Sequence, residues 1–247
     1  MTGQTQTPGA GVLQETKFDQ FSLGEVRPGT GAGERFKRYP EAERIPLPRG
    51  WHWGRMKLWQ ALLGRRSRRK YAEAAIGVED LAMLLWSAQG ITAQSGTHLL
   101  RTAPSAGALY PLETYLAVER VEGVAPGLYH FDVRDFHLER LAAGSFSRQV
   151  AEAALGQGFV ARAAAVFIWS AVLRRTTARY GSRGMRYIWM DAGHACQNLL
   201  LAAESLELNA CPVAAFVDDE LNRLLGLDGQ EESAVYLVPV GRRPPDQ

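Results

Sequence analysis

The chain has 247 residues, 46% hydrophobic and 22% charged, the composition of a soluble globular protein long enough to bury one sizeable core without disulfides or metal. Its 28 basic and 26 acidic side chains leave a formal charge of +2, so no global field recruits nucleic acid or an anionic membrane, and any anion binding must be local. Cys196 and Cys211 form no CxxC and the five histidines show no ligand spacing, which removes zinc and redox-disulfide readings and leaves no metal site expected.

The N-terminus lacks the apolar segment of a signal peptide. The longest apolar run, 163–173, is far shorter than the roughly 20 residues of a spanning helix, so a cytoplasmic enzyme is the expectation. Residues 1–50 are rich in Gly, Pro and charge, which predicts an extended arm that either wraps the body or lies disordered. Within it Gly29, Gly31 and Gly33 suggest a nucleotide loop only superficially, because no apolar strand precedes them and no amphipathic helix follows.

The globular domain is expected over 51–247, where Trp51, Trp53 and Trp59 read as core or interface anchors. Helical periodicity marks 56–64 and 77–90, the second with Leu81, Leu84, Leu85 and Ala88 on one face. Strands are predicted over 114–121, 127–133 and 136–141, the last two as a hairpin, followed by a helix over 147–155 and a buried central strand over 163–173. A long helix from about 184 to 206 presents Ile188, Trp189, Ala192, Cys196, Leu199 and Ala203 to the core. Its polar stripe, Tyr187, Asp191, His194 and Asn198, is read as a solvated face or a contact with a partner helix, with Gln197 and Asn198 as candidates to reach a ligand. The chain closes with a strand over 209–216, a helix over 218–227 capped by Asp218, and an apolar strand over 233–241. Helices and strands interleave without a regular βαβ rhythm, so the class is α+β, one domain with one mixed, mainly antiparallel sheet.

Two stretches invite a ligand. RRSRRK (65–70) packs five positive charges into six residues. In an extended backbone Arg65, Ser67 and Arg69 project to one side, which suits a phosphate, while a solvated basic loop or unspecific nucleic-acid binding remain alternatives. APSAGALYP (103–111) carries so little side-chain bulk that a ligand can approach its backbone, although a plain turn explains it too. Ser105 follows Pro104, not the glycine-framed elbow of a serine hydrolase.

Taken together, RRSRRKY, GVEDLAMLLWSAQGIT, PSAGALYPLE, DAGHACQNLLLAAESL and ACPVAAF resemble the nitroreductase family of flavoproteins, in particular its SagB-type dehydrogenase branch, to which the arm segment FKRYPEAERIPLP is also similar. The resemblance runs from about residue 36 to Arg242. It implies a homodimer with FMN at the subunit interface, ping-pong hydride transfer through flavin N5, NAD(P)H as a candidate electron donor and a small-molecule or peptide substrate. The alternative it leaves open is a non-catalytic flavin-binding protein, or a flavin subunit of a larger peptide-modifying assembly. Arg65, Arg66, Ser67 and Arg69 match the family's motif for the FMN phosphate and ring edge. Pro104, Ser105, Ala106, Gly107 and Ala108 match a loop along the flavin, contributed from the partner subunit. Pro212, Val213, Ala214 and Ala215 match the segment passing N5, and Arg242 a second phosphate contact. Ala214 and Ala215 stand where relatives often have Gly-Gly or Glu-Gly, which narrows the approach to the ring. Where azoline-oxidising members carry a Lys-Tyr pair, this chain has Arg179 and Tyr180. A guanidinium, with a pKa above about 12, stays charged, so the resemblance implies Tyr180 as the proton-transferring group and Arg179 as its electrostatic support.

Overall fold

The computed structural model describes residues 9–17, 34–50, 56–96 and 98–245, so Gly29, Gly31, Gly33, Trp51 and Trp53 lie outside the described residues. The helices are α1 (Ala10–Glu15), α2 (Leu58–Gly64), α3 (Val78–Gln89), α4 (Ser147–Ala153), α5 (Gly158–Ala161), α6 (Arg174–Tyr180), α7 (Gly184–Ser205) and α8 (Asp218–Leu225). The strands are β1 (Glu43–Pro46), β2 (Ile91–Ser95), β3 (His98–Arg101), β4 (Leu112–Val118), β5 (Gly127–Asp132), β6 (His137–Ala143), β7 (Ala165–Val172), β8 (Leu208–Ala210) and β9 (Glu232–Arg242). Seven strands form one sheet in the order β1-β6-β5-β4-β7-β9-β8, and β2 and β3 form a separate hairpin. The expected sheet is therefore found, and its strand pairings are all antiparallel. Among the described residues the one parallel pairing, the isolated bridge between Ile76 and Val121, lies outside the sheet's strands, so the sheet is antiparallel and not mixed. Among the described residues no helix is long and apolar enough to cross a membrane.

Alternation along the central strands sends side chains to two cores. Leu112, Leu116 and Val118 of β4 with Phe167 and Trp169 of β7 meet α3 and α7 on one face. Tyr115 and Ala117 with Val166 and Ile168 meet α4, α5 and α8 on the other. Leu81, Leu84, Leu85 and Ala88 are all buried, as their spacing predicts.

Several local expectations are corrected. Trp189 is 49% exposed and Trp59 78%, so neither anchors the core of this chain. The strand expected over 209–216 stops at Ala210, since Pro212 has no N–H for the ladder; beyond it only Val213 bridges to Leu237. Asp218 is the first residue of α8 and makes no side-chain cap; it joins Asp219 and Glu220 as acidic groups in the first turn, where the helix dipole favours them. The β2–β3 hairpin, α5 and α6 were not anticipated. β2 has no apolar alternation to announce it, because four of its five residues are exposed.

On the second face the end of the sheet not covered by helices is polar, and residues 34–39 lie over it. Glu113 Oε1 accepts the Lys37 N–H (3.2 Å) and pairs with the Arg175 guanidinium (2.6 Å). His130 bridges Glu113 (3.1 Å) and Glu139 (2.8 Å), and Glu139 accepts the Tyr39 N–H (3.0 Å). Lys37 Nζ reaches Glu232 (2.5 Å) and the Tyr115 hydroxyl (2.8 Å). Charges this deep are tolerated only when each is paired and its remaining valences are bonded.

Burial alone would raise the Glu113 carboxyl. The Arg175, His130 and Arg101 cations outweigh it and hold the group down at about 2, from its ordinary 4.5. A depressed carboxylate contributes stability that is complete above 4.5 and lost as pH falls through about 2, here on the order of 3 kcal/mol. The groups facing it are Arg175 from α6, His130 from β5, Arg101 from β3 and the Lys37 amide from the arm. Glu113→Gln is expected to lower the melting temperature at neutral pH and to flatten its decline between about pH 4.5 and 2. Identical acid limbs in the two proteins would rule out this ion cluster as a source of stability.

Candidate active site

The basic run begins where α2 ends. Arg65 is the C-cap of α2, and the chain then runs without helix or strand through Lys70. Alternation separates the cluster into two roles. Burial pushes the Cys196 thiol up to about 12 against a hydrogen bond with Tyr236 and the nearby Arg65 charge, and pushes the Cys211 thiol up against the Arg69 charge and bonds with Ser67 and Arg69. Arg68 points elsewhere: it pairs with Glu204 (2.6 Å), donates to the Gly64 carbonyl (3.0 Å), and its N–H bonds the Ala210 carbonyl (3.0 Å). Arg66 folds back onto the carbonyls of Leu63 (2.9 Å) and Arg65 (2.8 Å). Among the described residues neither Arg65 nor Arg69 has an acidic partner, and Arg69 lies over the Phe159 ring at 5.6 Å.

Cys211 joins this edge to the next predicted segment, because it precedes Pro212. Val213 is held by a two-way backbone pair with Leu237 (2.8 and 3.1 Å), while Ala214 and Ala215 are exposed. Both cysteines are free and buried. Arg242 is held apart from this edge by other bonds: Nε donates to the Ala75 carbonyl (3.1 Å) and Nη2 lies 3.5 Å from Asp80 in the first turn of α3. Its neighbour Arg243 instead shares Glu204 with Arg68, at 3.2 Å.

A second group forms around residues 104–110. Ala106–Ala108 make a 3-10 turn, and Gly107 (φ 62°), Ala108 (φ 53°) and Tyr110 (φ 47°) take the left-handed conformation. The turn is ordered from α7: the Ser105 hydroxyl donates to Asp191 (2.5 Å) and accepts the Tyr110 N–H (2.9 Å). Asp191 also takes the Ala106 N–H; burial raises its carboxyl against these bonds. Asp191 is thus a buried loop anchor and not part of a solvated stripe, while His194 and Gln197 are exposed and Asn198 half-buried. Nothing in a one-dimensional polar stripe separates Asp191 from His194, so sequence reasoning missed it.

The turn meets α6 of the same chain. A Cβ on Gly107 would lie 2.7 Å from the Tyr180 hydroxyl and 2.8 Å from Arg179 Nη1, so both side-chain tips would have to shift, and the left-handed φ of 62° is the firmer reason for glycine here. Arg179 sits over the Tyr180 ring at 5.2 Å, and Tyr187 meets that ring edge-on at 5.0 Å. Arg179 Nε is buried without a hydrogen-bond partner, and the Tyr180 hydroxyl bonds no other described residue. A phenol that can give or take a proton and a permanent cation therefore converge on bare backbone. Apart from Arg242, the predicted residues gather in two groups, 65–69 with 212–215 and 104–108 with 179–180. Both touch α7, through Cys196 and Asp191 respectively, about 7.5 Å apart in helix rise.

A model of the nitroreductase family matches residues 62–242. A protein of Methanocaldococcus jannaschii named as a nitroreductase is 39% identical over 188 residues, 76% of this chain and 92% of its own length. The trifolitoxin-processing protein TfxB of Rhizobium leguminosarum bv. trifolii is 31% identical over 153 residues, 60% of this chain and 41% of its own. Among solved structures, a protein of Anabaena variabilis described as a nitroreductase superposes with a TM-score of 0.72 at 27% identity, over 93% of this chain and 49% of that one.

Proposed function

Because the chain belongs to the nitroreductase family and has its α+β fold, we propose that it is an FMN-dependent oxidoreductase of the SagB-type dehydrogenase branch, acting as a homodimer in the cytoplasm on a small-molecule or peptide substrate. In this reading 51–247 is the FMN-binding domain and 1–50 the arm. The observation that carries it is the edge formed by Arg65, Ser67 and Arg69, two guanidinium groups without acidic partners beside a hydroxyl. That donor set fits a phosphate, each charge-assisted bond contributing roughly 1.5 to 3 kcal/mol.

Arg65, Ser67 and Arg69 hold the phosphate. Arg66 joins them by giving up its local carbonyls, and Arg242 by releasing Asp80. Pro104, Ser105, Ala106, Gly107 and Ala108 lie along one side of the ring, with Asp191 keeping their amides in place, and Pro212, Val213, Ala214 and Ala215 border the other. FMN, when bound, supplies a two-electron acceptor and donor at N5, with NAD(P)H as the candidate reductant. Tyr180, as the phenolate that the always charged Arg179 steadies, would accept the proton the substrate loses on dehydrogenation and become the neutral phenol, while Arg179 itself accepts none. The dimer covers the apolar surface left open on α2 and α7, where Trp59, Leu63, Trp189 and Met190 are exposed.

A second reading is favoured by the relative named for trifolitoxin processing: the chain as a flavin subunit of a larger peptide-modifying assembly.

Replacing Arg65 and Arg69 together by Ala is expected to weaken FMN binding roughly 10² to 10⁴-fold in a fluorescence titration. An unchanged affinity would remove the phosphate assignment. In sedimentation, the flavin-loaded protein is expected to run at twice the 27.2 kDa chain mass; a flavin-loaded monomer contradicts the shared site. Tyr180→Phe is expected to lower dehydrogenase kcat by about 10² to 10⁴-fold with unchanged FMN content. Quinone reduction by NAD(P)H needs no such proton transfer and should hardly change; a wild-type protein that is yellow but inert to every reductant supports the non-catalytic alternative. Full dehydrogenase turnover in Tyr180→Phe would leave the residue a structural role only.

A further inference from the structure

The β5–β6 hairpin carries a group of side chains that the proposed reaction does not use. Asp132 and His137 face each other across the ladder, and Glu139 follows two residues on, on the same side. One ligand atom from each lies within 4.8 Å of the other two, and all three residues are buried. His137 points to a ligand independently of the acidic pair. Its Nε2 has no hydrogen-bond partner although its side chain is only 10% exposed, and Glu139 Oε1 stands 3.8 Å away, beyond hydrogen-bond reach.

The two carboxylates are already oriented. Asp132 Oδ1 accepts the N–H groups of Arg134 (2.8 Å) and Asp135 (2.9 Å), which leaves Oδ2 to the cluster. Glu139 is held by His130 at Oε2 (2.8 Å) and by the Tyr39 N–H at Oε1 (3.0 Å), and a carboxylate oxygen can accept such a bond and a metal together. Contacts of this kind are what fix ligands around bound metals. The cation now facing Asp132 Oδ2 is Arg38, with Nε at 3.4 Å; its side chain is 38% exposed and also bonds Asp135 at 3.0 Å, so it can leave the cluster without losing its charge partner.

We propose that Asp132, His137 and Glu139 form a binding site for a divalent transition-metal ion of the zinc class, in competition with the Arg38 guanidinium. One imidazole nitrogen with two carboxylate oxygens suits such an ion better than calcium, whose sites are built from oxygen alone. Tetrahedral zinc brings its ligand atoms to about 3.3 Å from one another, so the side chains close in by at most about 1.5 Å and water completes the shell. Bound metal would lock the hairpin to the arm through Glu139 and Tyr39, away from the flavin groups, and the proposal stands or falls independently of them.

The test is calorimetric titration of the chelator-treated full-length protein with zinc chloride, read beside its melting temperature. One ion per chain is expected to bind with micromolar or tighter Kd and to raise the melting temperature. His137→Ala is expected to weaken binding by about 100-fold. Arg38→Ala, at a surface position, is expected to tighten it about 10-fold by removing the competing cation, and it decides the question if His137→Ala does not fold. No saturable binding up to about 100 µM zinc, equal affinity in His137→Ala, or weaker binding in Arg38→Ala would each overturn the site.

Discussion

Arg175 sits in the first turn of α6, and its buried pairing with Glu113 of β4 at 2.6 Å is where the arm, the sheet and the helix bearing Tyr180 meet. The same guanidinium donates to the Glu34 carbonyl (2.8 Å) and reaches the Tyr110 carbonyl (3.4 Å). Its donors are thus divided between two segments far apart in the chain, the arm at Glu34 and residues 110–113, a use that the planar, always-charged fork permits and a lysine would not. Arg179 lies one turn later on the same helix face, so the pairing that anchors Arg175 also sets the direction from which Arg179 and Tyr180 meet Gly107.

The candidate site is built the same way, from backbone held by buried polar contacts. Asp191 reaches out of the apolar α7 to hold Ser105 and Ala106, and this lets Gly107, Ala108 and Tyr110 stay in the left-handed conformation. The basic edge is rigid for a different reason. Arg68 is tied to Glu204 and to the Ala210 carbonyl, so one arginine of the run acts as the fixed point that leaves Arg65 and Arg69 facing outward. What a sequence shows as one cluster of charge is thus an anchor and two donors.

Apolar periodicity was legible wherever both the pattern and the environment were simple. The face Leu81, Leu84, Leu85 and Ala88 is buried as spaced, and the run 163–173 contains the central strand β7. It failed at Trp189, which lies on apolar surface that this chain leaves open, since hydrophobicity alone does not say which chain will cover a residue; at Trp59 only the core half of the reading is lost. It failed again where a short element is polar, as in β2, and where proline ended a ladder at Pro212.

The sequence by itself determined the α+β class, the main helices and strands, the extended basic run and the small-residue loop, because these follow from local spacing and backbone preference. Only the tertiary structure decided which polar groups meet. Gly107 touches Tyr180 across 73 residues of chain, Ser105 bonds Asp191 across 86, and Asp132 faces His137 through the register of a hairpin. Such pairings depend on how buried donors and acceptors are satisfied across separate elements, and that requirement exists only once the elements have packed and excluded water.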